Sequence, residues 1–185
     1  MDLLRRVRSS QAGLILAIIL GFSVPGASSG PPIEEYQLKA AFLFNIAKFV
    51  EWPADKFHGA KDPIVLCVLG ANPFGDTLEQ AAHGISIEDR KFVVRSISDQ
   101  KQTGSCHILF ISSSERKRLR AVLAEIASSG ILTVGDIEGF AAEGGVVNLK
   151  LEGDKVRIGI NVEAAEHEKI RISSKLLSLA QIVKK

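Results

Sequence analysis

Two cysteines, one tryptophan, one tyrosine and one methionine are all this 185-residue chain has of those residue types. The reactive motifs that would mark an enzyme are missing as well. The four histidines, His58, His83, His107 and His167, stand far apart without metal-ligand spacing. No G-x-S-x-G elbow is present, and Ser112–Ser114 is better explained by helix capping than by a nucleophile. The glycine turns at Gly70–Gly75 and Gly135–Asp136 lack the Lys-Ser/Thr pair of a P-loop. Asp76 and Asp136 stand where a bound phosphate would need a positive field, so capping or a plain turn is the reading. Cys67 lies in the apolar run Ile64–Leu69, where a thiol is a poor nucleophile. The chain is therefore read as a non-enzyme with no cofactor or metal. Neither an internal repeat nor a low-complexity segment follows the first thirty residues.

A large excess of either charge sign is missing too. Arg5, Arg6 and Arg8 make a basic start, Ala12–Val24 is an apolar run, and Pro25–Ser29 are small or helix-breaking residues. This is the layout of a secretory signal, with cleavage expected between about Ala27 and Gly30. The alternative is an uncleaved anchor, but the run falls short of the roughly 20 residues that span a bilayer. The division is thus a signal over 1–29 and one α/β domain over 30–185. That signal holds three Arg and one Asp, which leaves equal numbers of basic and acidic residues behind it. Net charge near zero removes the electrostatic case for nucleic acid. Charged residues interrupt every later apolar run too soon for a membrane span.

What is abundant is apolar surface on one segment. Over Glu35–Pro53, Leu38, Phe42, Leu43, Ile46, Phe49 and Val50 form a wide apolar face at helical spacing. Gln37, Asn45, Lys48 and Glu51 form a narrow polar strip that also holds Phe44 and Trp52. A helix with so little polar surface is buried on more than one side. Either it is a central core helix, or it packs on its own domain and also on a partner. In the second case Phe44 and Trp52 are the expected contacts, with Phe42 and Phe49 closer to the core.

Further along, Ile64–Leu69, Phe92–Val94 with Ile97, Ile108–Ile111 and Ile131–Val134 read as short buried strands. Helices are expected over about Asp76–Ala82 and from Ser112 to about Ala127, the latter opened by a Ser112/Glu115 capping box. Val147, Leu149 and Leu151, then Val156, Ile158, Ile160 and Val162, alternate around Gly153-Asp154 as an antiparallel hairpin. A last helix is expected over Ser173–Val183. The fold class is α/β: a single-domain sandwich with a mostly parallel sheet, an antiparallel hairpin edge and helices on both faces. An even cysteine count in an oxidising compartment suggests a Cys67–Cys106 disulfide, worth on the order of 4 kcal/mol by loop closure. Two buried thiols are the alternative.

Several segments together resemble the YfiR family of periplasmic regulators. They are Tyr36–Pro53, Leu69–Gly75, Cys106–Ser112, Ile131–Asp136, Phe140–Asn148 and Ile172–Leu177, in one order across the mature chain. The resemblance implies export to the periplasm, often a homodimer, and restraint of a membrane diguanylate cyclase through its periplasmic region. It also implies a possible outer-membrane lipoprotein that sequesters the regulator, with cyclic di-GMP signalling as the output. Cys67 and Cys106 match a pair seen in family members; a second pair that some members carry near the hairpin is missing here. The rival reading is a periplasmic protein that binds a small apolar or aromatic ligand near the strand ends. An unrecognised hydrolase ranks third.

Overall fold

Continuous apolar runs need burial on both faces, and the chain supplies it with helices on either side of one sheet. The computed structural model describes residues 33–184; the expected export signal and its cleavage site lie outside them. The elements in order are α1 (Ile33–Ala47), β1 (Val50–Glu51), β2 (Ile64–Leu69), α2 (Thr77–Ala82), β3 (Ser86–Ile87), β4 (Arg90–Ile97) and β5 (Ile108–Ile111). Then come α3 (Leu119–Glu125), β6 (Leu132–Gly135), β7 (Val147–Glu152), β8 (Lys155–Ile160), α4 (Val162–His167), β9 (Arg171–Ile172), α5 (Ser174–Leu177) and β10 (Gln181–Ile182).

Eight strands form the main sheet in the order β10-β8-β7-β6-β5-β2-β4-β3. β4, β2, β5, β6 and β7 run parallel to one another, and β7–β8 and β3–β4 are antiparallel pairs. The expected α/β class and mostly parallel sheet are what is found. Period-two alternation splits each buried strand between two cores. Ile64, Leu66, Val68, Ile108, Phe110, Leu132 and Val134 join α1, α2 and α4 on one face. Val65, Cys67, Leu69, Leu109 and Ile111 join α3, Ile137 and Phe140 on the other.

Four expectations are corrected. The first helix stops at Ala47 rather than reaching Pro53, and Val50–Glu51 pairs antiparallel with Arg171–Ile172. Val162 opens α4 instead of extending the hairpin. The Ser112/Glu115 box does not form: Ser112 Oγ accepts from the Ser114 N–H, and the Glu115 carboxylate pairs with Arg118. A capping box sits instead at Asp99 and Gln102, opening a 3-10 turn over Gln100–Ser105. The last helix shrinks to one turn, Ser174–Leu177, and the chain then enters β10, parallel to β8. The hairpin is therefore one strand in from the edge.

Candidate functional site

Small residues decide which side of α1 faces the sheet. Tyr36, Ala40, Leu43, Phe44 and Ala47 recur at helical spacing and are all buried. The two alanines let the helix sit close to the strands, and Phe44 then points inward at 2% exposure. Its ring meets Phe92 edge-on at 4.9 Å. The assignment of rings is thus reversed: Phe44 is core, whereas Phe42 and Phe49 are only partly buried. Phe49 sits beneath the Lys175 ammonium at 5.6 Å from the ring centroid.

Trp52 is half-buried and pinned. Its indole N–H donates to the His107 carbonyl at 2.9 Å, and its ring stands edge-on to Phe57. His107 stacks on Phe57 at 4.3 Å. The Val65 N–H donates to His107 Nδ1 at 3.1 Å, so the proton sits on Nε2, which donates to the Lys56 carbonyl at 3.2 Å. Burial, above all, holds this imidazole below its ordinary pKa, and the nearby Lys56 and Arg90 charges push the same way.

At the opposite, C-terminal ends of the parallel strands lies a buried polar cluster absent from the expectations above. Asp136 Oδ2 accepts from Tyr36 Oη and Lys39 Nζ, each at 2.8 Å. Lys39, 3% exposed, also pairs with Glu35 and lies over the Tyr36 ring. Asp136 Oδ1 is buried without a hydrogen-bond partner. Burial, and next the Asp136 hydrogen bond, raise the Tyr36 pKa well above the ordinary phenol range. Asp136 therefore anchors α1 to the end of β6 rather than capping a helix. Its sequence signal was the Gly135-Asp136 pair, but its partners lie about a hundred residues away.

Both glycine turns are filled by the chain's own side chains. A Cβ on Gly70 would lie 2.4 Å from Ser114 Oγ, and one on Gly135 would lie 2.5 Å from the Phe140 ring. The Ala71 N–H donates to Ser114 Oγ at 3.0 Å, so that turn amide already has a partner within the chain. Asp76 stands at the start of α2 but makes no side-chain capping bond. Among the described residues no group of three or more His, Cys, Asp or Glu could hold a metal ion. No helix there is long and apolar enough to cross a membrane.

Cys67 and Cys106 form a disulfide with Cα atoms 5.9 Å apart. It ties β2 to the segment leading into β5, on the α3 face.

Over residues 36–181 the chain matches the sequence profile described as YfiR/HmsC-like. The chain belongs to the YfiR/HmsC-like family. That match spans every element from early α1 to β10. Among curated proteins none matches. Two solved structures share the fold at low identity. One is a conserved domain protein from Vibrio cholerae O1 biovar El Tor, with TM-score 0.54 and 12% identity, covering 83% of this chain and 60% of that one. The other is an ABC domain from Streptococcus pneumoniae in complex with L-Trp, with TM-score 0.52 and 10% identity, covering 80% of this chain and 60% of that one. The chain thus spans about 60% of the length of each, and the likeness concerns the fold alone.

Proposed function

We propose that this YfiR/HmsC-like protein is a non-enzymatic periplasmic regulator that binds the periplasmic region of a membrane diguanylate cyclase and thereby controls cyclic di-GMP signalling. The observation that carries the reading is the family match across the whole domain. Glycine turns closed by Ser114 and Phe140 support a protein that works through its surface rather than through a catalytic cleft. The disulfide is consistent with export to an oxidising compartment. Phe42, Phe49 and Trp52 are the proposed anchors on the α1 side, whether the partner is the cyclase, a second copy of the chain or an outer-membrane lipoprotein. Phe44 drops out of that set because its ring is in the core.

The rival small-molecule reading has less support, since Tyr36 packs on Phe74 and bonds to Asp136 at the C-terminal strand ends where it expected a pocket. A cleft of about 560 Å³ does open between α3 and α4, with a mixed lining in which Leu123, Ala124, Ala127 and Ala164 stand beside Arg120, Glu143, Glu163 and His167.

The test pairs capture with signalling. The exported protein should co-purify with the periplasmic region of a cyclase from its host, and deleting it should raise cellular cyclic di-GMP. Phe49→Glu should weaken capture while circular dichroism stays unchanged, because an aromatic anchor contributes through desolvation. Unaltered cyclic di-GMP in the deletion strain, together with no capture, would sink the reading.

A further inference from the structure

β4 runs for eight residues, but its outer neighbour β3 pairs only with Arg90 and Lys91. On the inner side, β2 pairs with the whole of Phe92–Ile97. The Gly70 N–H donates to the Ile97 carbonyl on that inner side. Strand alternation then turns the N–H and C=O of Phe92, Val94 and Ser96 outward; the hairpin register, with Ser86 opposite Lys91, sets Ile85 against Phe92, and Val94 and Ser96 lie beyond it. Among the described residues no strand pairs with them.

A cleft of about 470 Å³ lies along this open edge, between β4 and the end of α2. Ala82, Ile85, Phe92 and Val94 make its walls apolar, and Glu79 and His83 stand on the α2 side. Phe92 and Val94 face the α1 side of the sheet. Lys91, Val93 and Arg95 therefore share the opposite face, with both charged side chains exposed. Soluble proteins usually protect an edge of this kind with a charge, a bulge or a covering loop. Here the protection is cationic only: β4 holds Arg90, Lys91 and Arg95 and no acidic residue.

We propose that the outer edge of β4 docks an extended segment of a partner protein, which joins the sheet as an added strand. Its alternate side chains are apolar on the cleft side and acidic on the Lys91/Arg95 side. The charge pattern selects this occupant over a second copy of the chain. Another β4 edge would bring more cations onto the same face and no counter-charge, whereas acidic residues across from Lys91 and Arg95 are favourable cross-strand pairs. Main-chain bonds to Val94 and Ser96 supply affinity, and the cleft selects the apolar residues. This surface is at the other end of the sheet from β10 and does not depend on which membrane protein the domain regulates.

The probe is an acetylated, amidated hexapeptide that alternates Glu and Val, titrated by fluorescence anisotropy against the protein purified from its host. Saturable binding is expected, with slowed hydrogen exchange at the Val94 and Ser96 amides. A peptide with alternate amides N-methylated, and one with Lys in place of Glu, should each bind about tenfold more weakly or worse. The double variant Lys91→Glu with Arg95→Glu should show the same loss for the acidic peptide and a gain for the Lys peptide. If that variant fails to fold, the N-methylated peptide on the unaltered protein still decides. No saturable binding at millimolar peptide, equal binding by the N-methylated peptide, or protection confined to other amides would each overturn the proposal.

Discussion

On the α1 face, a 15-residue helix lays Tyr36, Ala40, Leu43, Phe44 and Ala47 along the strands, and α2 and α4 extend the cover. On the other face a seven-residue helix, α3, contributes Leu119 and Val122, and a disulfide crosses from β2 to the start of β5. The first face carries the larger buried cluster and also a buried ion pair, Lys39–Asp136, that ties the start of α1 to the end of β6. The second has less helix to bury and adds a covalent constraint that acts mainly on the unfolded chain. The lesson is that one sheet can be secured by two different means, each with its own weak point.

The contrast is broken most strongly at Phe44. Phe44→Ala should cost about 3–5 kcal/mol, because the ring is enclosed and its neighbours on β4 cannot collapse into the space. Phe42→Ala, at a partly buried site on the same helix, should cost about 1 kcal/mol. Urea titration of both variants checks the difference, and equal losses would contradict the orientation of α1.

The second face should respond to reductant instead. Reducing Cys67–Cys106, or replacing both residues by Ala, should cost about 2–4 kcal/mol. Both thiols should resist alkylation until reductant is added. Full labelling without reductant would remove the covalent half of the comparison.

A loss of about 3 kcal/mol, the low end for a broken buried pair because Glu35 still faces Lys39, is expected for Asp136→Ala. Removing one partner leaves the buried Lys39 ammonium with Glu35 alone. Replacing Asp136 and Lys39 together by apolar residues should recover part of it, since no buried charge is then left unpaired. The single and double variants can be compared by thermal melting.

The mildest effect concerns pH. His107 has its folded pKa lowered by burial, while the unfolded chain titrates near the ordinary imidazole value of about 6.5. Its contribution is full above that value. As pH falls below about 6.5 the unfolded state takes up a proton that the folded state resists, and stability declines toward the folded pKa. Protonation would also set Nδ1–H against the Val65 N–H. A melting series from pH 7.5 to 5, repeated with His107→Gln, should show a shallower slope in the variant.

Much of the central sheet could be read from residue pattern. Ile64–Leu69 and Ile108–Ile111 are continuous apolar runs because both faces of each strand are buried, and the cysteines fell where neighbouring strands bring them together. The hairpin turn at Gly153-Asp154 was equally plain, with Glu152 opposite Lys155. The edges were not legible. β3 and β4 are joined through Glu88 and Asp89, which both adopt positive φ without the glycine that usually marks such a two-residue turn. Ser173–Val183 has apolar residues enough for a helix, yet most of it is one turn and a short strand that leaves Leu179 exposed.

The amino-acid order by itself determined which short runs must be buried, where the β7–β8 hairpin turns, and which family the chain resembles. The first two depend on local alternation and composition, which act within a few residues; the resemblance rests instead on motifs spread in one order along the chain. Tertiary structure alone decided that Phe44 is core while Phe49 is half-exposed, that Asp136 answers to Tyr36 and Lys39, and that Gln181–Ile182 pairs with β8. Each of those outcomes rests on contacts between segments far apart in the chain. Close approach of α1 to the sheet, rather than the size of its side chains, selects the buried face, and a buried carboxylate takes whichever cation and hydroxyl the fold brings to it.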